Sequence, residues 1–520
     1  MSTKGPKIRI GVLQETDQAE FRVQGAFRVE DGEGNLITTL PPVDTPWKVR
    51  AVDPSPAEVR YRLLVFRDKK EKPVSDQEKT FRKMGWVTKI VQMGHRFPEL
   101  PAELSDNREF WLLLGDWGDP TPAQEALKSF PGDVEVIPDR IKIPVGKLRL
   151  FSDQNPTGWV VSNKIRILPD DRERGRVAVV NIRVGIEFHW EHLQTQSYRG
   201  IVEMGLSNSG KVQVINELPL EEYLYSVNSS EMTADSPPEL LKAQTLAGRN
   251  TALATMGKHH PEADFDLCAD DHCQCYQGSG REGERSIQAV QNTFGEVLVY
   301  RDEICDARYS KICGGAMEAY EKVWGGGPVP YMGFGIDAED PSEVETYLPL
   351  EDDENARRFI DGRPSAYCAY PDVVLPGHLH RIGGYFRWQV SYSQAELQEI
   401  LLPNLGRSIG PILDLVPVKR GASGRITVME FIGEKEKVEI RDQLKIRKML
   451  SPSHLYSSCF YVVKEMGKDG RPVKFILKGA GWGHGVGLCQ VGAAAMALEG
   501  KSYREILSHY YKNTFMRKVY

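Results

Sequence analysis

The sequence predicts an α+β fold, in which a mixed α/β core is flanked by β-rich segments and preceded by a small α+β module. Three observations favour it. Short apolar runs between turn residues dominate 1–55 and 141–216, which is typical of strands. The order strand, helix, strand occurs twice between 59 and 137. A helix with clear start signals follows residue 236. The 520 residues suffice for about two to four domains.

Residues 1–140 are expected to form an N-terminal module. After the first strands come predicted strands at 59–66, 86–92, 109–115 and 134–137 and predicted helices at 76–84 and 120–128. Two such units make a split βαβ, or ferredoxin-like, sandwich. This order of elements resembles the SPOR domain, which binds the glycan strands of peptidoglycan. A generic α+β module has the same order and stays an alternative.

The rest of the chain divides into four segments by pattern and composition. We expect a β-rich segment at 141–216, a mixed α/β core at 217–341, a β-rich insertion at 342–473, and a C-terminal loop with helices at 474–520 that completes the core. Ser502 and Glu505 have the spacing of a capping box for the last helix.

Composition and charge exclude some classes of partner. The hydrophobic fraction is 41%, the charged fraction 27% and the net charge -6, so nothing favours nucleic acid or an anionic membrane surface. No run approaches the roughly 18 apolar residues of a membrane span. The first residues, MSTKGPKIRIGVLQET, lack an apolar core, so no secretory signal is predicted.

Glu231 is the candidate acid. It lies in the run Asn-Ser-Ser-Glu-Met, where a helix ending nearby leaves it at a break between two helices. A carboxyl group at such a break can lie in a cleft beside apolar groups. Burial raises the pKa of such a group and keeps it protonated, as a general acid requires. A plain surface glutamate has the same local sequence and remains an alternative.

The helix after Glu231 has its own start signals and one unusual residue. Ser236 is the predicted N-cap, Pro237 the first helical residue and Glu239 the reciprocal capping partner. Small apolar residues at helical spacing predict close packing. Arg249 interrupts that pattern, and we expect it to point into a cleft and contact substrate, although a plain core helix remains possible.

A dense group of cysteines and histidines predicts a metal site. The chain has eight cysteines, and three of them, Cys268, Cys273 and Cys275, lie within eight positions. Together with His260 and His272, they suit tetrahedral zinc. A disulfide among the three cysteines, or free buried thiols, are the alternatives.

A glycine-rich loop near the C-terminus is the second candidate for substrate contact. Six glycines lie between Gly479 and Gly492, and Trp482 and His484 lie among them. An aromatic ring and an imidazole on a loop that allows close approach suit carbohydrate. Gln490 follows on the same loop and is assigned to substrate with them. The loop lacks the GK[ST] ending of a phosphate-binding loop.

Five blocks together resemble the stage II sporulation protein D family, also called SpoIID/LytB. They are LPLEEYLYSVNSSEM, PPELLKAQTLAGRNTALA, FDLCADDHCQCYQG, CGGAMEAYEKVWG and GWGHGVGLCQVGAAAMALEGKSYREILSHYY, all in the family's order. The resemblance covers about 141–512 and is weak at 342–473. Cys489 stands where the family often has serine.

The resemblance implies a lytic transglycosylase. Enzymes of this family cleave peptidoglycan glycan strands, favouring strands without stem peptides, and leave 1,6-anhydro-N-acetylmuramic acid. It implies Glu231 as the catalytic acid and base and a structural zinc ion. Cys268, His272 and Cys273 map onto its ligands, with His260 as the fourth and His259 as the alternative.

The resemblance leaves other functions open. Some members are described as enhancers of cell-wall amidases, so a peptidoglycan-binding activator is the main alternative, and a catalytic zinc hydrolase is a third. The family implies the cell envelope or another extracytoplasmic location. In an oxidising compartment, Cys305 and Cys313 could form a disulfide.

Overall fold

A computed structural model describes residues 5–41, 45–130, 134–186, 191–233, 235–369, 379 and 384–520. The first five strands contribute to two different antiparallel sheets. They are β1 (Lys7–Thr16), β2 (Gln18–Gln24), β3 (Phe27–Asp31), β4 (Leu36–Leu40) and β5 (Trp47–Ser55). Buried and exposed side chains alternate along β2, which turns Phe21 and Val23 inward.

The split βαβ module follows and has the predicted order of elements. It comprises β6 (Glu58–Asp68), α1 (Glu71–Lys83), β7 (Thr88–Met93), β8 (Glu109–Trp117), α2 (Pro120–Leu127) and β9 (Glu135–Lys142). Its antiparallel sheet has the order β7-β8-β6-β9. Helix α1 begins five residues before the prediction, because Pro73 is tolerated in a first helical turn. The likeness to the SPOR domain stays a prediction.

The module is inserted into a β-rich body. That body continues with β10 (Val145–Ser152), β11 (Trp159–Ser162), β12 (Lys164–Pro169), β13 (Arg176–Val184), β14 (His192–Tyr198), β15 (Ile201–Leu206), β16 (Val212–Pro219) and β17 (Leu267–Cys268). One sheet has the order β11-β10-β5-β2-β13-β14 and the other β17-β1-β16-β15-β12-β3-β4. Since β5 pairs with β10, the body crosses the boundary that we expected at residue 140.

Helices dominate the next segment. They begin with α3 (Leu220–Glu231) and α4 (Pro238–Thr255), followed by α5 (Glu284–Asn292), β18 (Glu296–Tyr300), β19 (Glu303–Ile304), β20 (Tyr309–Ser310), β21 (Ala316–Met317), α6 (Glu321–Trp324) and β22 (Gly335–Ile336). Helix α4 is central and almost wholly buried.

The predicted cap of α4 is wrong. Pro237, and not Ser236, is the N-cap residue, and no side chain caps the helix. A residue before a proline avoids the helical region, so Pro237 is extended and the helix begins at Pro238. The Ser236 hydroxyl is buried and finds no partner among the described residues. Glu239 pairs with Lys242 instead.

The insertion has a hydrophobic core of its own. It contains α7 (Ser342–Glu345), α8 (Asp353–Gly362), β23 (Arg387–Ser393), α9 (Gln394–Leu405), β24 (Ile412–Arg420), β25 (Ile426–Gly433), β26 (Lys437–Arg441), α10 (Gln443–Met449), β27 (Phe460–Met466) and β28 (Pro472–Ala480). Its strands form two three-stranded sheets, β23-β28-β27 and β24-β25-β26.

The C-terminal segment returns to the core. It consists of β29 (Leu488–Cys489), α11 (Gln490–Leu498), α12 (Tyr503–Tyr510) and β30 (Phe515–Lys518). The capping box of Ser502 and Glu505 is confirmed at the start of α12. Strand β30 pairs with β18, and β29 pairs in parallel with β20. Within the described ranges, no helix combines the length and the apolar character that a bilayer crossing needs.

Candidate active site

Glu231 lies where the sequence places it, at the last residue of α3. It is 6% exposed and lines a cleft of about 1550 Å³. The Asn228 side chain fixes the junction of the two helices, because its amide donates to the Leu241 carbonyl at 3.1 Å and to Thr245 Oγ1 at 2.8 Å. The carboxyl group is therefore held rigidly at the wall of the cleft.

Four donors surround the carboxylate. Lys311 Nζ lies 2.8 Å from Oε2, and Gln490 Nε2 donates to the same oxygen at 3.4 Å. The Tyr309 hydroxyl donates to Oε1 at 3.3 Å, and the Cys275 amide does so at 3.4 Å. Hydrogen bonds of this kind stabilise the ionised form of a carboxyl group.

The pKa of Glu231 differs from the expectation. Burial alone raises it, but the charge and hydrogen bond of Lys311, with the bonds from Gln490 and Cys275, outweigh burial and hold it below its ordinary value. The same pair raises the pKa of Lys311. Without substrate, the site therefore holds an ion pair at neutral pH rather than a protonated acid.

Lys311 and Tyr309 were not predicted from the sequence. Tyr309 is the first residue of β20, and Lys311 directly follows that strand. Strand β20 pairs in parallel with β29, so that Tyr309 lies opposite Leu488 and Ser310 opposite Cys489. This pairing brings Lys311 close to Gln490, some 180 residues away in sequence. The only local sign of a site here was the lysine in YSKICGG, which lies just before two adjacent glycines.

Trp482 and His484 of the glycine-rich loop both line the cleft, and their contact with substrate stays a prediction. The Trp482 ring packs on Tyr385, with centroids 4.8 Å apart. The His484 ring lies 4.8 Å from that of Trp324, and its Nδ1 accepts the Val486 amide at 3.0 Å. Burial and nearby arginines lower the pKa of His484 to about 3, so the imidazole is neutral.

Arg249 and Gln490 have other roles than the expected contact with substrate. Arg249 is fully buried, and its guanidinium binds Glu221 through two bonds of 2.8 and 2.6 Å. The prediction of a substrate contact by Arg249 is corrected, because the helix turns this residue toward α3 and not toward the cleft. Gln490 lines the cleft but is itself buried, and it orients Glu231.

The predicted metal ligands lie together in space. The ligand atoms of His260, Cys268, His272 and Cys273 lie within 4.8 Å of one another. His260 Nε2 is 3.3 Å from Cys273 Sγ, and His272 Nδ1 is 3.5 Å from Cys273 Sγ and 3.9 Å from Cys268 Sγ. A tetrahedral zinc ion with Zn–S of about 2.3 Å and Zn–N of about 2.0 Å needs S···N separations of about 3.5 Å, so this donor set fits zinc.

His259, the alternative ligand, also approaches Cys273 Sγ with its Nδ1, at 3.4 Å. Its Nε2 lies 3.4 Å from the Arg308 guanidinium. Burial and Arg308 lower the pKa of His259 to about 3. His260 is the better fourth ligand, since it alone of the two belongs to the compact group of four.

All eight cysteines are free thiols in the structure. Cys275 donates to Asp271 Oδ1 at 2.7 Å, beside the predicted metal ligands. Cys313 Sγ lies 3.5 Å from Cys368 Sγ, and no disulfide joins Cys313 to Cys305, the pairing considered from the sequence.

The module holds the loop that carries the metal-type ligands. His95 Nε2 lies 2.5 Å from Asp266, and Arg140 pairs with Asp264 at 2.6 Å. The Asn107 side-chain amide donates to the Leu253 carbonyl, near the end of α4, at 2.7 Å. The inserted sheet thus sets the position of a loop that in turn supplies the Cys275 amide to Glu231.

Two parts of the chain match known families. Residues 208–300 match the family described as Stage II sporulation protein, SpoIID. Residues 318–487 match a domain of unknown function, DUF8618. The first match contains Glu231 and the metal-type ligands, and the second spans the whole insertion.

Three curated relatives give the wider context. An uncharacterized protein of Brachyspira hyodysenteriae is 28% identical over 57% of this chain and 66% of its own length. An amidase enhancer of Bacillus subtilis is 26% identical over 56% of this chain and 40% of its own length. The stage II sporulation protein D of Bacillus subtilis is 26% identical over 58% of this chain and 75% of its own length.

Proposed function

We propose, on the premise of its similarity to the SpoIID family over residues 208–300, that this chain is a lytic transglycosylase that cleaves peptidoglycan glycan strands in the cell envelope. The observation that carries the proposal is Glu231, a buried carboxyl group held by four donors at the wall of a large cleft. The expected products end in 1,6-anhydro-N-acetylmuramic acid.

One carboxyl group suffices for this reaction. Protonated Glu231 gives its proton to the glycosidic oxygen, and the C–O bond to the departing sugar breaks. The resulting carboxylate accepts the proton of the C6 hydroxyl of the same muramic acid, whose oxygen attacks C1. Because this nucleophile belongs to the substrate, its effective concentration is high and no second carboxylate has to activate water.

Lys311 has a defined role in this scheme. Its ammonium stabilises the carboxylate that remains after proton donation, which makes Glu231 a stronger acid. The same interaction reduces the protonated fraction at neutral pH, so the reaction is expected to be fastest at acidic pH. Tyr309 and Gln490 orient the carboxyl group through their bonds to its two oxygens.

The shape of the cleft suits a polymer. Its volume of about 1550 Å³ exceeds the roughly 300–1,000 Å³ of common small-molecule pockets. Trp324 and Trp482 line it and offer rings for stacking on sugars, while His484 offers a neutral imidazole for hydrogen bonds. Strands without stem peptides are the proposed substrate.

We assign a structural zinc ion to His260, Cys268, His272 and Cys273. Four protein ligands leave no open position for water or substrate, which argues against a zinc hydrolase. When bound, the ion contributes folding free energy to the loop and no step of the reaction. The loop then holds the Cys275 amide against Glu231.

A second function is favoured by one specific observation. A relative is named amidase enhancer, and the Lys311 ion pair leaves Glu231 ionised at neutral pH. A peptidoglycan-binding activator of a cell-wall amidase is therefore the alternative.

The test is digestion of purified peptidoglycan, with and without stem peptides, followed by mass spectrometry of the products. We expect anhydro-muramyl ends from the native chain and none from Glu231→Gln. Glu222→Gln on the same helix is the matched control and keeps activity. If folded, zinc-loaded protein cleaves neither substrate between pH 4 and 8 but accelerates an added amidase, the activator function replaces the enzyme.

A further inference from the structure

A second group of metal-type ligands lies inside the core. It consists of Cys313, Asp337, Cys368 and Cys489, whose ligand atoms lie within 4.8 Å of one another. Each residue is at most 2% exposed, and none of the four lines the Glu231 cleft. They come from four separate segments, of which one belongs to the insertion and one to the C-terminal loop.

The distances fit a tetrahedral ion. Cys313 Sγ lies 3.5 Å from Cys368 Sγ and 3.1 Å from Asp337 Oδ2. Around zinc with Zn–S of about 2.3 Å and Zn–O of about 2.1 Å, the S···S separation is about 3.8 Å and the S···O separation about 3.6 Å. These two separations are thus shorter than the tetrahedral values by only about 0.3 and about 0.5 Å, and the other ligand atoms lie within 4.8 Å. A multi-iron cluster would need thiolates spread more widely.

The surroundings orient these ligands. The backbone amides of Cys313 and Gly492 donate to Cys489 Sγ at 3.2 and 3.4 Å. The Tyr510 hydroxyl donates to Asp337 Oδ1 at 2.8 Å, which leaves Oδ2 directed at the sulfurs. Gly492 is needed there, because a Cβ would lie 2.7 Å from Asp337 Oδ2. Outer hydrogen bonds of this kind accompany metal ligands generally.

Asp337 has no lysine or arginine partner within the described ranges, and its carboxyl group is fully buried. The nearest basic group is His509, whose Nε2 lies 3.5 Å from Oδ1. A buried carboxylate without a counter-charge is costly, whereas three thiols beside it supply the remaining ligands of a divalent cation.

We propose that Cys313, Asp337, Cys368 and Cys489 bind one zinc ion in a closed structural site. Binding replaces the three thiol protons, which leave to solvent, and no oxidation occurs. The ion joins the insertion, through Cys368, to the core and to the glycine-rich loop, through Cys489. The competing chemistry is a disulfide between Cys313 and Cys368, which requires a two-electron oxidant.

The experiment counts zinc per chain by plasma mass spectrometry on the full chain, purified without chelator. Cys368→Ser should lose one equivalent relative to the native chain, whatever the loop site holds. Cys305→Ser is the matched control, because Cys305 is buried outside both groups, and it should keep the native count. Cys268→Ser should lose the other equivalent, from the loop.

Two measurements on the native chain keep the test decisive if Cys368→Ser does not fold. Chelator should remove zinc in two phases, quickly from the partly exposed loop and slowly from the buried group. Peptide mapping without reductant should find Cys313 and Cys368 as separate thiols. Equal zinc in the native chain and Cys368→Ser, a single fast phase, or a Cys313–Cys368 disulfide overturns the proposal.

Discussion

Lys311 decides the charge of the proposed catalytic group. A buried glutamate alone would be a weak acid that stays protonated, whereas the ammonium 2.8 Å away reverses the direction of the pKa shift. Lys311 therefore makes protonated Glu231 a stronger acid, but it also reduces the fraction of Glu231 that is protonated at neutral pH. The pH dependence of activity is therefore the most direct measure of the ion pair between Lys311 and Glu231.

We predict that Lys311→Met moves the alkaline limb of the pH profile upward. Without the cation, burial dominates and the pKa of Glu231 rises, so the acid form persists to higher pH. An opposite charge at this distance lowers a carboxyl pKa by about 1–3 units, which gives the expected shift. The measurement is kcat/KM for glycan cleavage between pH 3 and 8.

Lys242→Met is the control, because Lys242 pairs with Glu239 at the start of α4 and not with Glu231. Its profile should coincide with that of the native chain. Coincident profiles for Lys311→Met and the native chain would contradict the assigned role of the ion pair.

The sequence predicted that Glu231 lies at a helix break and that the metal-type ligands lie together. It did not predict the side chains that contact Glu231. Glu231 and the Cys/His group lie in continuous blocks, where spacing carries information. Lys311 acts on Glu231 only through the pairing of β20 with β29, which no local pattern reveals. Arg249 was misassigned for the same reason, since its partner Glu221 lies 28 residues earlier, on a different helix.

At the level of elements, a buried ion pair joins the start of α3 to the second half of α4. Arg249 and Glu221 are both buried, and the Tyr520 hydroxyl also donates to Glu221, at 2.5 Å. A pair of this kind need not add stability over apolar residues, but removing one partner leaves a buried charge without compensation.

We predict that Arg249→Met lowers the free energy of unfolding by about 3–5 kcal/mol. The double variant Glu221→Gln/Arg249→Met should recover part of that loss, because no charge is left unpaired. Urea denaturation followed by circular dichroism is the measurement. Lys79→Met, which breaks the exposed pair with Asp76, is the control and should cost much less. A loss for Arg249→Met no greater than this control would argue against a structural role.

Most elements were predictable because their periodicity is local. The β-α-β order of the module and the capping box of α12 came from residues within a few positions of one another. The start of α4 could not be predicted in this way. Pro237 and Pro238 are adjacent, and only the steric restriction of the backbone before a proline decides which of them begins the helix.

At the scale of the whole molecule, the module is an insertion whose ends are adjacent. Ser55 on β5 faces Val145 on β10, so the chain leaves and re-enters the same sheet at neighbouring positions. From the sequence we expected a separate N-terminal domain, because a strand pattern does not show that the strand before the module pairs with the strand after it.

We predict that a short turn in place of residues 57–143 keeps the pairing of β5 with β10 but removes Phe97 and Leu104 from the core of the β-rich body, so the variant is less stable and binds glycan more weakly. The register of β5 and β10 survives the replacement, whereas Glu109 and Trp111, which line the cleft, are lost. Cosedimentation with purified peptidoglycan measures binding, and circular dichroism checks the fold. Undiminished binding by the folded variant would assign recognition to the core alone.

The pairing of β30 with β18 also has a consequence for timing. The Tyr520 hydroxyl donates to Glu221 on α3, the helix that ends at Glu231. Strand β1 pairs with β17, which carries Cys268. A chain still emerging from the ribosome has made that helix but not the residues that anchor it. The helix that carries Glu231 therefore gains its Tyr520 anchor only after β30 has been made and has paired with β18, so the proposed site is completed late in synthesis.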